Sequence, residues 1–126
     1  FLEARLMQQD GTLIVDADVF RTEVPAAAAP QLAGLVGKPV IFGIRPEDIH
    51  DSAFHQSIVN GSVFKATVDV HEPLGSDIIL YLTAGKHSLV ARVDARSQAR
   101  MGQTTEVMMD TAKMHLFNAE THEAVL

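Results

Sequence analysis

The sequence predicts a mostly β fold, a small barrel or sandwich with two β lobes. Short runs of residues alternate apolar and polar side chains, which is the pattern of half-buried strands. Glycine, asparagine and aspartate separate these runs, and little of the chain is left for helix. With 126 residues, 47% of them hydrophobic, the chain is long enough for one domain with a sizeable core. We therefore expect residues 1–126 to form a single compact domain.

The first strands are predicted around a tight turn. In "FLEARLM", Leu2, Ala4 and Leu6 share one face. Asp10-Gly11 then supplies a hairpin turn before "TLIVDADVFRTEV". In that run the acids Asp16 and Asp18 alternate with apolar residues and are expected on the solvated face of a strand.

The second group of strands follows Asn60-Gly61, which we take as the boundary between the lobes. In "SVFKATVDV" the alternation places Phe64, Ala66, Val68 and Val70 on one side. Further strands are predicted in "DIILYLTA", "SLVARVDA", "TEVMM" and "MHLF", joined by short turn-like segments.

Helix is limited to one or two short turns. "PQLAGLVG" opens at Pro30 and closes at Gly37, which gives about two turns. In "GIRPED", Arg45 precedes a proline and is biased toward extended backbone, so it ends the strand begun at Val40. Pro46 then fits the start of a helical turn, with Glu47 and Asp48 near its free backbone N–H groups.

Composition excludes several classes of function. The chain has no cysteine, which rules out disulfides and thiolate chemistry. Its formal charge of −6, single tyrosine and lack of tryptophan argue against nucleic-acid binding. No apolar stretch approaches the roughly 20 residues that span a bilayer. The start at Phe1, already in a strand pattern, indicates a fragment of a longer protein.

No motif in the sequence favours a catalytic or metal site. "GLVGKP" has too few residues between its glycines for a Walker A loop and a proline where the loop needs serine or threonine. His50 and His55, with Asp48 and Asp51 nearby, lack the spacing of a metal centre and are expected in a solvated loop. We expect His115 to be packed or capped, and the methionines to fill the core. The charged run "ARVDARSQARMG" is expected to be a solvated loop.

Five ordered segments together resemble one family. They are "FLEARL", "GKPVIFGIRPEDI", "VDVHEPLGSDIILYL", "LVARVDAR" and "MDTAKMHLFNAETHEAVL". In this order they are similar to the C-terminal regulatory domain of maltose-type, carbohydrate-uptake ABC transporter ATP-binding subunits. The resemblance implies an OB-like β-barrel of the TOBE type, and "GIRPE" is a recurrent signature of that family. One departure is His122, at a position where the family commonly has glycine.

The resemblance implies a non-catalytic role. ATP and Mg²⁺ would bind in the preceding nucleotide-binding domain, and no cofactor is expected in this chain. The implied partners are a second copy of the domain, membrane permease subunits and, in some members, a regulatory protein of sugar metabolism or a transcription activator. The implied location is the cytoplasmic face of the cell membrane, within a transporter complex.

We expect the interface or regulatory residues at two turns. One is the "GIRPED" corner, with Arg45, Pro46 and Glu47, and the other is "EPLGSD", with Leu74, Gly75, Ser76 and Asp77. The alternative function is a small-ligand module for an oxyanion or a sugar, in which the ligand would contact residues from the set Lys38, Ser76, Arg96 and Arg100.

Overall fold

A computed structural model describes residues 1–54 and 62–126. These residues divide into two compact units, the first formed by residues 1–43 and 114–126 and the second by residues 44–113. The predicted lobe boundary at Asn60-Gly61 lies outside the described residues. The chain crosses between units at Gly43 and Ile44, and again at Lys113 and Met114. The expectation of a single domain stays a prediction.

The first unit is a five-stranded antiparallel sheet. Its strands lie in the order β10-β4-β1-β2-β3. Their bounds are β1 Leu2–Gln9, β2 Thr12–Asp16, β3 Arg21–Glu23, β4 Pro39–Gly43 and β10 His115–Asn118. Helix α1 (Ala29–Leu32) has 3₁₀ turns on both sides, Ala26–Ala28 and Ala33–Leu35. The predicted helical segment is confirmed, although it begins four residues before Pro30.

The predicted hairpin between β1 and β2 is confirmed. Gln9 faces Thr12, so Asp10 and Gly11 form a two-residue loop. Both residues have positive φ, 53° and 81°, as a type I′ turn requires. Leu2, Ala4 and Leu6 are buried, as their alternation predicts.

The second unit is also a five-stranded antiparallel sheet. Its order is β5-β9-β6-β7-β8, and β5 lies against β8 as well, so the sheet curls into a nearly closed barrel. Its strands are β5 Ile49–Asp51, β6 Ser62–Pro73, β7 Asp77–Ala84, β8 His87–Asp94 and β9 Thr104–Met109. Short 3₁₀ turns cover Pro46–Asp48, Ser52–Phe54 and Thr111–Lys113.

Each unit has its own set of fully buried apolar side chains. In the first unit they include Leu6, Val15, Leu32, Val40, Phe42 and Leu116, and in the second Ile49, Val68, Leu80, Leu82, Val107 and Met109. The burial of alternate residues along each strand is what orders these side chains into a core. The mostly β fold with a barrel-like sheet that the sequence predicts is confirmed.

Four local predictions were wrong, and one of them concerns Met101, which is 68% exposed although the methionines were expected to fill the core. Val70 is 45% exposed, because a β-bulge between Val68 and Val70 shifts the register and reverses the face of the following residues. Asp18 does not lie on a strand, since β2 ends at Asp16 and Asp18 sits in a left-handed turn with φ 71°. His115 is exposed on β10, with its neighbour Leu116 facing the core.

Candidate functional site

The "GIRPED" corner has the backbone that its sequence predicts. Arg45 is extended, with φ −81° and ψ 149°, and Pro46 opens a 3₁₀ turn that ends at Asp48. Asp48 donates its backbone N–H to the carbonyl of Arg45 at 3.0 Å, which closes the turn. Arg45, Pro46 and Glu47 are exposed. Their predicted role in an interface stays a prediction.

Asp48 fixes this corner to the end of the second unit. Its side chain is buried, and Oδ1 lies 3.6 Å from Nζ of Lys113, which is also 3.6 Å from Oδ2 of Asp110. The backbone carbonyl of Asp48 accepts the N–H of Asp110 at 2.9 Å. Asp48 was not predicted as a site residue, because its partner Lys113 lies far away in the sequence.

The "EPLGSD" turn joins β6 and β7. Leu74 donates its backbone N–H to the carbonyl of Asp77 at 2.8 Å, and Gly75 has φ 95°, a conformation that side chains disfavour. Leu74 is 52% exposed, as predicted, and Ser76 is exposed too. The turn presents an apolar side chain to solvent at the end of a strand pair.

A pocket in the second unit brings one residue from each turn together. It has a volume of about 300 Å³ and is lined by Glu47, His50, Asp51, Asp77, Arg92, Val93 and Asp94. Of the seven predicted residues, Glu47 and Asp77 line this pocket. Arg45, Pro46, Leu74, Gly75 and Ser76 do not.

The pocket is rich in carboxylates. Asp77 Oδ2 accepts a hydrogen bond from Nε of Arg92 at 2.7 Å. Asp94 binds the guanidinium of Arg96 through two contacts of 3.0 Å, and this hydrogen bonding and charge raise the pKa of Arg96 above its ordinary value. The lining therefore has four carboxylates and one arginine, with a second arginine paired to Asp94. Such a site disfavours anions and offers hydrogen bonds to a hydroxyl-rich or cationic group.

Asp51 anchors the floor of the pocket. It is 8% exposed, and its Oδ2 accepts the hydroxyl hydrogen of Ser97 at 2.5 Å while Oδ1 accepts the N–H of Ala53 at 3.0 Å. Ser97, 2% exposed, also accepts the N–H of Ala99 at 3.2 Å. The only sequence signal is local, since Asp and Ser commonly bond a backbone N–H two residues on.

Two regions expected to be solvated loops are partly structured. His50 lies in β5 and is half-buried, while His55 lies outside the described residues. In "ARVDARSQARMG", Arg92 and Asp94 belong to β8, and Ser97 and Ala99 are buried. Arg92 and Asp94 lie within the strand predicted in "SLVARVDA", whereas the burial of Ser97 and Ala99 was not predicted.

Two of the four residues expected to contact an oxyanion, Arg96 and Arg100, are engaged by other groups of the second unit. Arg96 is engaged by Asp94, and Arg100 donates to the carbonyls of Ser97 and Ala99 at 3.1 and 2.9 Å. Lys38, in the first unit, and Ser76, in the second, are both exposed. Within residues 1–54 and 62–126, no group of three His, Asp or Glu side chains is arranged to hold a metal ion.

A solved structure and several curated proteins resemble this chain. The structure is described as the cytoplasmic molybdate-binding protein ModG, with a TM-score of 0.65 over 91% of this chain and 92% of that one. Its sequence is 14% identical, so the likeness shows the fold alone. In the described part of the chain, no helix is long and apolar enough to cross a membrane.

Three of the curated relatives are ATP-binding proteins of sugar import or transport. The trehalose/maltose import ATP-binding protein MalK of Thermococcus litoralis is 37% identical over 99% of this chain and 34% of its own length. The oligosaccharides import ATP-binding protein MsmX of Bacillus subtilis is 43% identical over 70% of this chain and 24% of its own. The multiple sugar-binding transport ATP-binding protein MsmK of Streptococcus mutans is 42% identical over 73% and 24%. The chain thus spans about a quarter to a third of their length.

Two family models match consecutive parts of the chain. The MalK OB fold domain matches residues 1–49, and the TOBE domain matches residues 60–116. The first match ends just after the "GIRPED" corner, and the second contains the "EPLGSD" turn. The chain therefore belongs to the family of OB and TOBE domains of maltose-type sugar ABC transporter ATP-binding proteins.

Proposed function

We propose that this chain is the regulatory and dimerisation domain of the ATP-binding subunit of an ABC importer for sugars or related solutes. The observation that carries this proposal is the alignment of 99% of the chain with an import ATP-binding protein at 37% identity. The two family matches, in order, support the same assignment. The domain itself is not catalytic, and the parent subunit hydrolyses ATP in a separate nucleotide-binding domain, with Mg²⁺ as its cofactor.

The proposed partners follow from that role. Two copies of the domain associate, and the parent binds membrane permease subunits at the inner face of the cell membrane. A regulatory protein of sugar metabolism is a further proposed partner, for which the exposed Arg45, Glu47 and Leu74 offer contacts on the two turns. Nucleic acid is not a proposed partner, because the formal charge is −6 and the chain has a single tyrosine and no tryptophan to stack on bases.

The assignment to an ATP-binding subunit is tested by the coding sequence upstream of Phe1. We expect a Walker A motif and a Walker B aspartate in the preceding few hundred codons. An open frame without both motifs would overturn the proposal. The non-catalytic role is tested separately, by measuring phosphate release from Mg·ATP with the 126-residue chain. Release above the buffer rate, retained through a further purification step, would contradict it.

The dimerisation role is tested by light scattering over a concentration series. We expect the apparent mass to rise from that of the 13.7 kDa chain towards twice that value. In this proposal part of the subunit's contact surface belongs to its nucleotide-binding domain, so the transition of the 126-residue chain alone is expected at high micromolar concentration or above. A mass that stays monomeric at millimolar concentration would contradict a dimerisation role for this chain.

A small-ligand role is the second candidate, favoured by the pocket around Glu47 and Asp77. Its carboxylates repel oxyanions, so a neutral polyhydroxyl ligand fits better than molybdate or phosphate. Calorimetry with maltose, molybdate, sulfate and phosphate separates these classes. Heat from maltose that is lost in Asp77→Ala supports a sugar site, and no heat from any of them at millimolar concentration retires the candidate.

A further inference from the structure

The outer face of the second unit has a row of exposed apolar side chains. Val70 on β6 faces Tyr81 on β7, and Tyr81 faces Val90 on β8, so the three lie side by side across adjacent strands. They are 45%, 39% and 37% exposed. Ile79, half-buried, is the next outward residue on β7. We call these four residues the apolar row.

The β-bulge in β6 creates this row. Phe64, Ala66 and Val68 point inward, and an uninterrupted strand would bury Val70 as well. The register shift between Val68 and Val70 instead places Val70 opposite Tyr81 on the outside. A bulge commonly re-aims a side chain in this way, and here it adds an apolar residue to a surface.

Opposite charges lie at the two ends of the neighbouring cross-strand row. Glu72 on β6 faces Ile79, and Ile79 faces Arg92 on β8. Both charged residues are exposed. The distance between them is two strand spacings, roughly 10 Å, so they do not pair with each other within one chain. Arg92 instead binds Asp77 through its Nε.

This arrangement is self-complementary about a twofold axis. If a second copy is placed face to face, with the axis parallel to β7, the β6 side of one copy meets the β8 side of the other. Val70 then meets Val90 of the second copy, and Glu72 meets its Arg92. Tyr81 and Ile79 lie on the axis and meet their own counterparts.

We propose that the apolar row, with Glu72 and Arg92, is the surface through which two copies of this domain associate. The inference rests on the proposed dimerisation role and names the residues that carry it. Burial of tyrosine and aliphatic side chains at the centre, with charged pairs at the edge, is the usual anatomy of such contacts. The charge pairing selects the orientation.

The first experiment compares two valines on the same strand. Val70→Lys places a charge in the apolar row, whereas Val63→Lys makes the same change on β6 at a site that is 46% exposed and outside the row. Sedimentation velocity from micromolar to millimolar concentration should show the dimer dissociation constant rising at least about tenfold in Val70→Lys. Val63→Lys should match the unmodified chain.

Tyrosine fluorescence gives an independent reading, because Tyr81 is the only tyrosine of the chain. Iodide should quench it less as the concentration rises through the dimer transition. In Val70→Lys the quenching should stay at the monomer value over the same range. A dimer that forms with unchanged quenching would overturn the proposed surface.

The second experiment tests the twofold orientation by charge reversal. Glu72→Arg alone and Arg92→Glu alone should each weaken the dimer, since each brings like charges together. Mixed in equal amounts, the two variants should form a heterodimer in which both contacts are again between opposite charges. The control is Glu3→Arg mixed with Arg92→Glu. Glu3→Arg makes the same change in charge as Glu72→Arg, but on an exposed residue of β1.

The outcomes separate this proposal from the dimerisation role. A dimer that Val70→Lys and Val63→Lys weaken equally, or not at all, overturns the surface and leaves the dimerisation role standing. A heterodimer that forms equally with the Glu3→Arg control overturns the orientation and with it the surface. A chain that stays monomeric at millimolar concentration overturns both proposals.

Discussion

Both units have five strands, but they differ in how many polar side chains they bury. In the first unit, among the described residues, Thr22 is the one buried polar side chain, whereas the second unit buries Asp48, Asp51, His87, Ser97 and Thr111. Non-glycine residues in the left-handed backbone region have the opposite distribution. The first unit holds Asp10, Asp18 and His122 at positive φ, while in the described part of the second unit every residue at positive φ is a glycine.

This difference separates a unit held by apolar packing from one that also depends on specific hydrogen bonds. A buried carboxylate is tolerable only where its oxygens find donors, so the polar groups of the second unit tie particular segments together. Asp51 lines the pocket, and Asp48 belongs to the "GIRPED" corner. Side chains that could contact a partner are thereby held on a defined backbone, whereas the first unit tolerates strained turns at its periphery.

The largest expected effect tests whether the two apolar cores are equivalent. Leu6 in β1 and Leu80 in β7 are both fully buried, so Leu6→Ala and Leu80→Ala should each lower the free energy of unfolding by about 3 kcal/mol. Urea denaturation followed by far-UV circular dichroism measures both. Leu74→Ala, at a site 52% exposed, is the control and should change stability by less than about 0.5 kcal/mol. If Leu6→Ala and Leu80→Ala lower the free energy of unfolding by very different amounts, one of the two cores is packed more loosely.

The next effect concerns the hydrogen bonds of the second unit. Asp51→Ala removes the acceptor of the Ser97 hydroxyl, which is 2% exposed, and should cost about 2 kcal/mol. Ser52→Ala removes a more exposed bond, from the hydroxyl of Ser52 to Glu106, and should cost less than about 0.5 kcal/mol. The same urea titration measures both variants. Equal losses would mean that the buried bond confers no more stability than a surface one.

Sequence patterns predicted the strands well because alternation reports burial directly. β7 and β8 bury every second residue, and β1 does so from Leu2 to Leu6. The Asp10-Gly11 turn has the dihedral angles that this dipeptide favours. Alternation failed at Val70, because a bulge changes the face without any change in residue type. The apolar row was missed because the bulge places Val70 on the outer face. To find the row from sequence, the register of three strands would also have to be known.

The candidate site was predicted only in part. The two turns were found from their proline and glycine, and the structure places Glu47 and Asp77 at one pocket. Asp51 and its partner Ser97 were missed because they are 46 residues apart in sequence. A single sequence without paired variation gives no sign of such a contact. The family resemblance gave a different, local indication: His122 stands where the family commonly has glycine, and the structure places it in a left-handed turn with φ 62°.

A smaller effect is expected at the glycine turn of the second unit. Gly75 has φ 95°, and no heavy atom lies within 4 Å of the position that an alanine methyl group would take. Gly75→Ala should therefore lower the free energy of unfolding through backbone conformation alone, by about 1 kcal/mol.

Gly34→Ala in the first unit is the matched control. Gly34 has equal space, lies in a 3₁₀ turn and is not at positive φ, so the change should be neutral or slightly stabilising. Thermal unfolding of both variants measures the difference, and a loss in Gly34→Ala as large as in Gly75→Ala would contradict the conformational explanation.

The smallest expected effect is a gain, in the first unit. His122 has φ 62° and donates its backbone N–H to the carbonyl of Asn118 at 2.8 Å, in a turn that a glycine would adopt without strain. His122→Gly should raise the free energy of unfolding by about 0.5 kcal/mol, because the relief of strain exceeds the extra freedom of glycine in the unfolded chain. His115→Gly, at an exposed position on β10, should instead lower it by about 0.5–1 kcal/mol. If His122→Gly and His115→Gly lower the free energy of unfolding equally, the left-handed turn at His122 carries no strain. The contrast in backbone strain between the two units then disappears as well.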